Sequence, residues 1–449
     1  MRHHALATRA VAVLVVATTF GARASAQLPG SAGLQPLGEF LRSAALRNFD
    51  NREGRALLAQ REHEASEARS RLLPSLTVQS DYINNQYLGA AAIPIGASTT
   101  GGAPATRNVV ITPLEQHDLS ASVTLPLLDL ASWSTVGAAN ATREAQRAQV
   151  GATQLEVQKT VARTWYQLVG AAAVARAARR TLAAARDNAS VIATRVEAGL
   201  ASELDAKRAL AEVERDRQAI EEADYTVGNL SRSLATVSGL APAMDTSMAT
   251  SSLPSDDLHA EAPLSDWLTK LNAVPSVEAA NHDRQASSLT AAAARAALLP
   301  SVSAQLTERA TNATGFGQSP YHVLELLGTW TLDASDANSA RAQASAAEAA
   351  AVRAEHASAD ASDAVTDAWQ HVQSQIAEVR AARSSLDASR AAAAVARRGY
   401  ESGRATMLDV VQADRDAFSA EVTTLQAEGD LAWARANLRL TAGRSLEVP

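Results

Sequence analysis

Few residues in this sequence combine the types and the spacing that chemistry needs. Arg61-Glu62-His63-Glu64 brings together imidazole and carboxylate donors that can hold a metal ion, but the run reads as a solvated helical face. Gly315-Phe316-Gly317 resembles the glycine-rich loops that cradle phosphate. No strand-to-helix switch follows it, so it reads as a turn. The nine His residues are scattered, with no His-Glu-x-x-His run, and the chain has no cysteine. A disulfide framework, a thiolate metal site, a cysteine nucleophile and a lipidated N-terminal cysteine are thereby excluded. Trp165 and Trp369 read as packing or interface residues rather than a substrate cage. The sequence therefore offers no catalytic site, no metal site and no cofactor site.

What remains is a pair of carboxylates in matching surroundings. Asp205 follows Gly199 and Ser202, and Asp409 follows Gly403 and Thr406. In each case the glycine suits a left-handed helix C-cap, and Ser or Thr with Asp three residues later suits a capping box for the next helix. These residues predict two tight tips, each joining a long helix to a return helix.

The elements that carry the tips repeat. Ala68 to Ser75 reappears as Ala294 to Ser301, a shift of 226 residues, and farther on the shift becomes 204. At that second shift Leu128-Asp129, Trp165, Arg176, Arg179, Leu182 and Arg186 match Leu332-Asp333, Trp369, Arg380, Arg383, Leu386 and Arg390. The difference, 22 residues, falls at 84–116, whose Gly, Ala, Pro, Thr and Asn predict a long loop. No proline occurs between Pro126 and Pro242, or between Pro320 and Pro449, which leaves room for very long helices. A seam spaced alternately four and three runs through Val157, Val161, Thr164, Leu168, Ala171, Ala175, Ala178, Leu182, Ala185, Ala189, Ile192 and Val196. Its counterpart runs from Ala361 through Val365, Val372, Gln375 and Val379 to Tyr400. That repeat predicts left-handed coiled coils, and roughly 100 alanines among 449 residues allow close axes. A helix over 132–198 would be about 100 Å long, too long for a compact globule.

Four stretches alternate in the manner of strands: about 75–83, 118–128, 301–310 and 321–332. Leu76, Val78 and Tyr82 alternate with Thr77, Gln79 and Asp81, the pattern of a transmembrane β-strand or of a soluble sheet with one face on a core. Four strands cannot close a barrel, so a membrane reading requires an oligomer. Three copies would supply twelve strands. At the N-terminus, Arg2 and Arg9, an apolar run from Ala10 to Phe20 and Ala24-Ser25-Ala26 predict a cleaved signal peptide over 1–26. The expected organisation is repeat 1 over 27–238 (long helix 132–198, return helix 203–238), a linker over 239–263, repeat 2 over 264–443 (long helix 335–402, return helix 407–442) and a tail over 444–449. The net charge of −7, without basic runs, argues against nucleic acid as a partner.

This arrangement, with its duplicated Gly-x-x-[Ser/Thr]-x-Leu-Asp tip, resembles the TolC family of outer-membrane efflux and secretion channels. The resemblance covers nearly the whole chain beyond the signal. It implies a mainly α fold with transmembrane β: duplicated long helical hairpins plus four strands per protomer, forming a trimeric 12-stranded barrel continued by an α-helical barrel. As partners it implies a homotrimer, a periplasmic adaptor (membrane fusion) protein, an inner-membrane transporter and outer-membrane lipid. For the tips it implies that Asp409 forms a three-fold carboxylate ring, that Asp205 hydrogen-bonds Tyr400 to hold them shut, and that Gly199, Leu200, Gly403 and Arg404 contribute to adaptor docking. Gln412 stands where the family often has a second Asp, and Ala405 where an Arg is common. A protein-secretion duct of the same architecture, and a periplasmic coiled-coil scaffold without a pore, are the alternatives.

Overall fold

A computed structural model describes residues 34–95, 106–243, 256–315, 317–331 and 333–446. The signal peptide expected over 1–26 lies outside these residues, as do Leu332 and much of the linker. Helices α1 (Leu37–Arg47) and α2 (Phe49–Ser70) lead into strand β1 (Ser75–Asn84). Strands β2 (Gly89–Pro94), β3 (Thr106–Thr112) and β4 (Glu115–Leu128) follow, then helices α3 (Leu130–Glu197) and α4 (Glu203–Ser238). The second half repeats the plan with α5 (Leu264–Leu268), α6 (Pro275–Ala296), β5 (Ser301–Thr311), β6 (Tyr321–Thr329), α7 (Ala334–Glu401) and α8 (Met407–Thr441).

The two long helices are 68 residues each, about 100 Å at 1.5 Å per residue. Both start on the repeated Leu-Asp motif, and its Asp has a physical task. Asp129 accepts from the Ser132 amide and Asp333 from the Ser335 amide, each at 2.9 Å, satisfying donors that a helix start leaves unpaired. Toward the strands α2 and α6 pack along α3, and α6 also packs on α7; toward the tips α4 lies on α3 and α8 on α7.

The seam of α3 is buried at Val157, Val161, Thr164, Leu168, Ala175, Ala178, Leu182 and Ile192. In α7 it departs from the expected register at one position: Ile376 is buried, and Gln375 beside it is half-buried, donating to Glu378 at 2.9 Å while its Oε1 is sealed without a partner among the described residues. Burying the Ile376 side chain is favourable, so the seam steps by one residue there. Trp165 and Trp369 are helix-packing residues with a further job. Their indole N–H groups donate to the carbonyls of Gln35 (3.1 Å) and Ala262 (2.9 Å), pinning the segment that precedes the short helices of each repeat.

The main sheet is antiparallel in the order β1-β4-β5-β6. Its register aligns Leu76 with Val123, Val123 with Leu306 and Leu306 with Leu324, so one face carries an apolar row. The opposite face carries Gln79 beside Ser120, Ser122 beside Thr307, and Gln305 beside Glu325. The irregular alternation of β6 resolves into Leu324 and Leu326 on the apolar side and Val323 and Leu327 on the polar side. The apolar row is not a core: Leu76, Leu324 and Leu326 are 68%, 76% and 72% exposed in the protomer. Within 84–116 the expected loop is partly ordered, because β2 and β3 pair as a separate two-stranded sheet. The β-branched run Val109-Val110-Ile111 favours that pairing over coil, and the Gly and Pro around it mark its ends. Among the described residues no helix is long and apolar enough to cross a membrane.

Candidate functional site at the helix tips

Both tips are built by the same backbone geometry. In the first, the Gly199 N–H donates to Val196 and the Leu200 N–H to Arg195, at 2.9 and 2.8 Å. In the second, Gly403 donates to Tyr400 and Arg404 to Gly399, at 3.1 and 2.7 Å. These are Schellman caps, and they need a left-handed residue at the turn. Gly199 and Gly403 supply it with φ of +72° and +73°.

The return helices restart on reciprocal capping boxes. Ser202 Oγ accepts from the Asp205 amide at 3.1 Å, and the Asp205 carboxylate accepts from the Ser202 hydroxyl at 2.7 Å. Thr406 and Asp409 repeat this, and the Thr406 amide donates to Asp409 at 2.7 Å. Those bonds, first from the hydroxyl and then from the amide, hold the Asp409 carboxyl below the usual aspartate range. Asp409 is therefore anionic at neutral pH and sits on an exposed helix start.

The remaining predicted residues are brought to the same end of the molecule, with one difference in partners. Within a protomer Asp205 is bonded to Ser202 and not to Tyr400. Tyr400 is half-buried, its ring beneath the Arg195 guanidinium at 5.6 Å, which ties α7 to α3 across the hairpins. Ser202 lies three residues from Asp205 in sequence, so the local cap claims that carboxylate first. Arg404 turns back to donate to Ser402 at 3.0 Å. Leu200 is 78% exposed, and the space beside Gly199 and Gly403 is open.

Just above the tips the hairpins pack through Ile192, Ala209, Met407, Val410 and Val411. Beside this cluster a cleft of about 640 Å³ separates the hairpins. Ion pairs cross it: Arg415 with Glu212 at 2.6 Å and Arg180 with Glu421 at 2.8 Å. Asp216 lies buried in the same cleft. Reading the sequence missed it, because Glu214-Arg215-Asp216-Arg217 has the composition of a solvated face.

Duplicated hairpins of this length, joined to an open sheet and closed by twin Schellman tips, match a known pattern along the chain. The outer membrane efflux protein family profile covers residues 40–240 and 270–444. The chain belongs to that family. Membership makes it an outer-membrane efflux channel protein and not an enzyme. Among solved structures, the outer-membrane channel OprN is 22% identical with a TM-score of 0.71, over 91% of this chain and 89% of that one. CusC, a protein described as forming a transmembrane channel, is 17% identical with a TM-score of 0.76, over 91% and 92%. The open state of the Neisseria gonorrhoeae MtrE outer-membrane channel is 19% identical with a TM-score of 0.71, over 92% and 90%. At these identities the likeness establishes the shared fold. No curated protein matches the chain in sequence. The efflux-protein fold thus accounts for both unusual features, the exposed apolar sheet face and the long paired rods.

Proposed function

We propose that three copies assemble into the exit duct of a tripartite efflux system. The duct takes small molecules from an inner-membrane transporter and a periplasmic adaptor and passes them across the periplasm and outer membrane. The observation that carries this reading is the open four-stranded sheet, apolar on one face and polar on the other, standing on helices about 100 Å long. Lipid does not tolerate the unpaired backbone groups of β1 and β6, so each edge pairs with the next protomer and three sheets close a barrel. The polar face then lines the lumen and the apolar face meets lipid. The chain reaches this site through a cleaved signal peptide and carries no N-terminal lipid.

In the resting duct the tips converge to a gate. Asp409 contributes a three-fold carboxylate ring, while Asp205 and Tyr400 hold the return helices and long helices in the closed arrangement. Adaptor docking at Gly199, Leu200, Gly403 and Arg404 opens it. In planar bilayers Asp205→Ala and Tyr400→Phe are each expected to raise the conducting fraction, and Asp409→Ala to weaken block by polyvalent cations roughly tenfold, about the loss of one charge-assisted contact. Wild-type conductance and block in all three variants would refute the gate.

Docking has its own test. A Trp at Gly199 or Gly403 fills the open space beside the turn, whereas Asn tolerates the left-handed backbone with a smaller side chain. Adaptor capture and drug export should fall at least tenfold in the Trp variants and persist in the Asn variants, with trimers intact in all four. Equal export from Trp and Asn variants would remove the docking assignment.

A further inference from the structure

The cleft between the hairpins contains a carboxylate that the capping and packing of the tips do not use. Asp216, on α4, is 7% exposed, and its Oδ2 is sealed from solvent with no hydrogen-bond partner among the described residues. The cations around the cleft are committed elsewhere. On the same helix, Arg215 pairs with Glu212 at 2.6 Å. From α8, Arg415 reaches the same Glu212. From α7, Arg397 holds Asp414 at 2.8 Å and Arg390 holds Glu421 at 3.4 Å. From α3, Arg180 holds Glu421 and Arg195 lies over the Tyr400 ring. The exposed Glu401 of α7 completes the charged lining. The charges acting on Asp216 are thus carboxylates: Glu212 one turn away and Asp414 from the opposite hairpin.

An ionised carboxylate in that position leaves Oδ2 with neither water nor a donor, and it meets two like charges. A protonated one has neither problem. We propose that Asp216 is an acid-operated latch between the two hairpins of each protomer: when protonated it lets α4 and α8 close on one another, and when ionised it drives them apart. The latch regulates the tip gate and so rests on the gate reading given above. Burial first, then Glu212 and Asp414, push the Asp216 pKa up to about 6, and burial raises Asp414 as well against the pull of Arg397. A raised carboxyl pKa favours the packed state below the ordinary value of 3.8, and that preference is lost as pH rises through about 6. Acid therefore closes the hairpins and neutral pH loosens them. Between about pH 7.5 and pH 5, the shift changes the closed-to-open ratio about tenfold per protomer.

The test uses the full-length protein in planar bilayers over that pH range. The wild-type conducting fraction is expected to fall on acidification with a midpoint near 6. Asp216→Asn should hold the low acid value at every pH, and Asp414→Asn should move the midpoint down by roughly half a unit, Asp414 being the smallest of the three causes. The lack of native cysteine permits a second readout. Spin labels at Leu204 and Leu408, exposed on the starts of α4 and α8, should approach on acidification in the wild type and stay fixed in Asp216→Asn. A wild-type midpoint and wild-type label movement in Asp216→Asn overturn the latch. If Asp205→Ala opens the channel while pH moves neither readout, the latch alone fails. If the labels respond to pH while Asp205→Ala, Tyr400→Phe and Asp409→Ala all behave as wild type, the hairpin movement stands and the gate assignment falls.

Discussion

Arg435→Ala is expected to destabilise the segment around the middle of the rods by about 3–5 kcal/mol, the usual cost of removing one member of a buried ion pair. Arg435 projects from α8 with its side chain 9% exposed. It pairs with Glu261, meets Asp256 at 2.8 Å, and donates to the His259 carbonyl at 2.8 Å. Glu261 is as buried as Arg435, so deletion of the cation leaves a carboxylate with neither water nor partner. The expected result is a lower denaturation midpoint by circular dichroism and faster chymotryptic cleavage beside Leu258. Glu261→Gln added to Arg435→Ala should restore part of the loss, because the uncompensated charge is then gone. A single variant that melts and resists protease as wild type would exclude this clamp.

Phe40→Ala has a comparable expected effect for a different reason. Phe40 is fully buried on α1, in a cluster with Leu41, Val161, Leu168, Val227 and Leu234. The chain has five phenylalanines, and its long seams are dominated by alanine, which buries little apolar area per residue. One large side chain therefore supplies an unusual share of the packing of α1 against α3 and α4. A loss of about 3–5 kcal/mol follows from the missing transfer energy and the cavity left behind. Denaturant titration measures it, with Phe40→Leu expected to lose much less. Similar midpoints for the two variants would show that the surrounding helices collapse into the gap.

Much of the architecture was legible because it depends on local rules and on repetition. The proline-free windows, the four-three seams and the duplicated Asp before each long helix all act within a few residues, so they survive in the one-dimensional record. The twin tips were equally readable, since Gly199, Ser202 and Asp205 and their counterparts Gly403, Thr406 and Asp409 cap helices through neighbours three to five positions away. The strand faces were readable in part. Val323 and Leu327 obscured the alternation of β6 until pairing with Thr307 and Ser303 assigned them to the polar side. The ordering of β2 and β3 was hidden by the Gly and Pro that flank them.

The sequence by itself determined a duplicated rod, its stops and restarts, and a set of strands with one apolar face. Only the tertiary structure decided which charges lose their water. Asp216 sits in a polar stretch that looks solvated, Glu261 in a short segment before Pro263 and Arg435 in the apolar run from Leu431 to Leu438, and nothing in their neighbours along the chain names the groups they meet. Their surroundings come from segments meeting across 174 residues (Glu261 and Arg435) and 198 residues (Asp216 and Asp414) of sequence, where desolvation and opposing charge depend on distance in space rather than on spacing along the backbone.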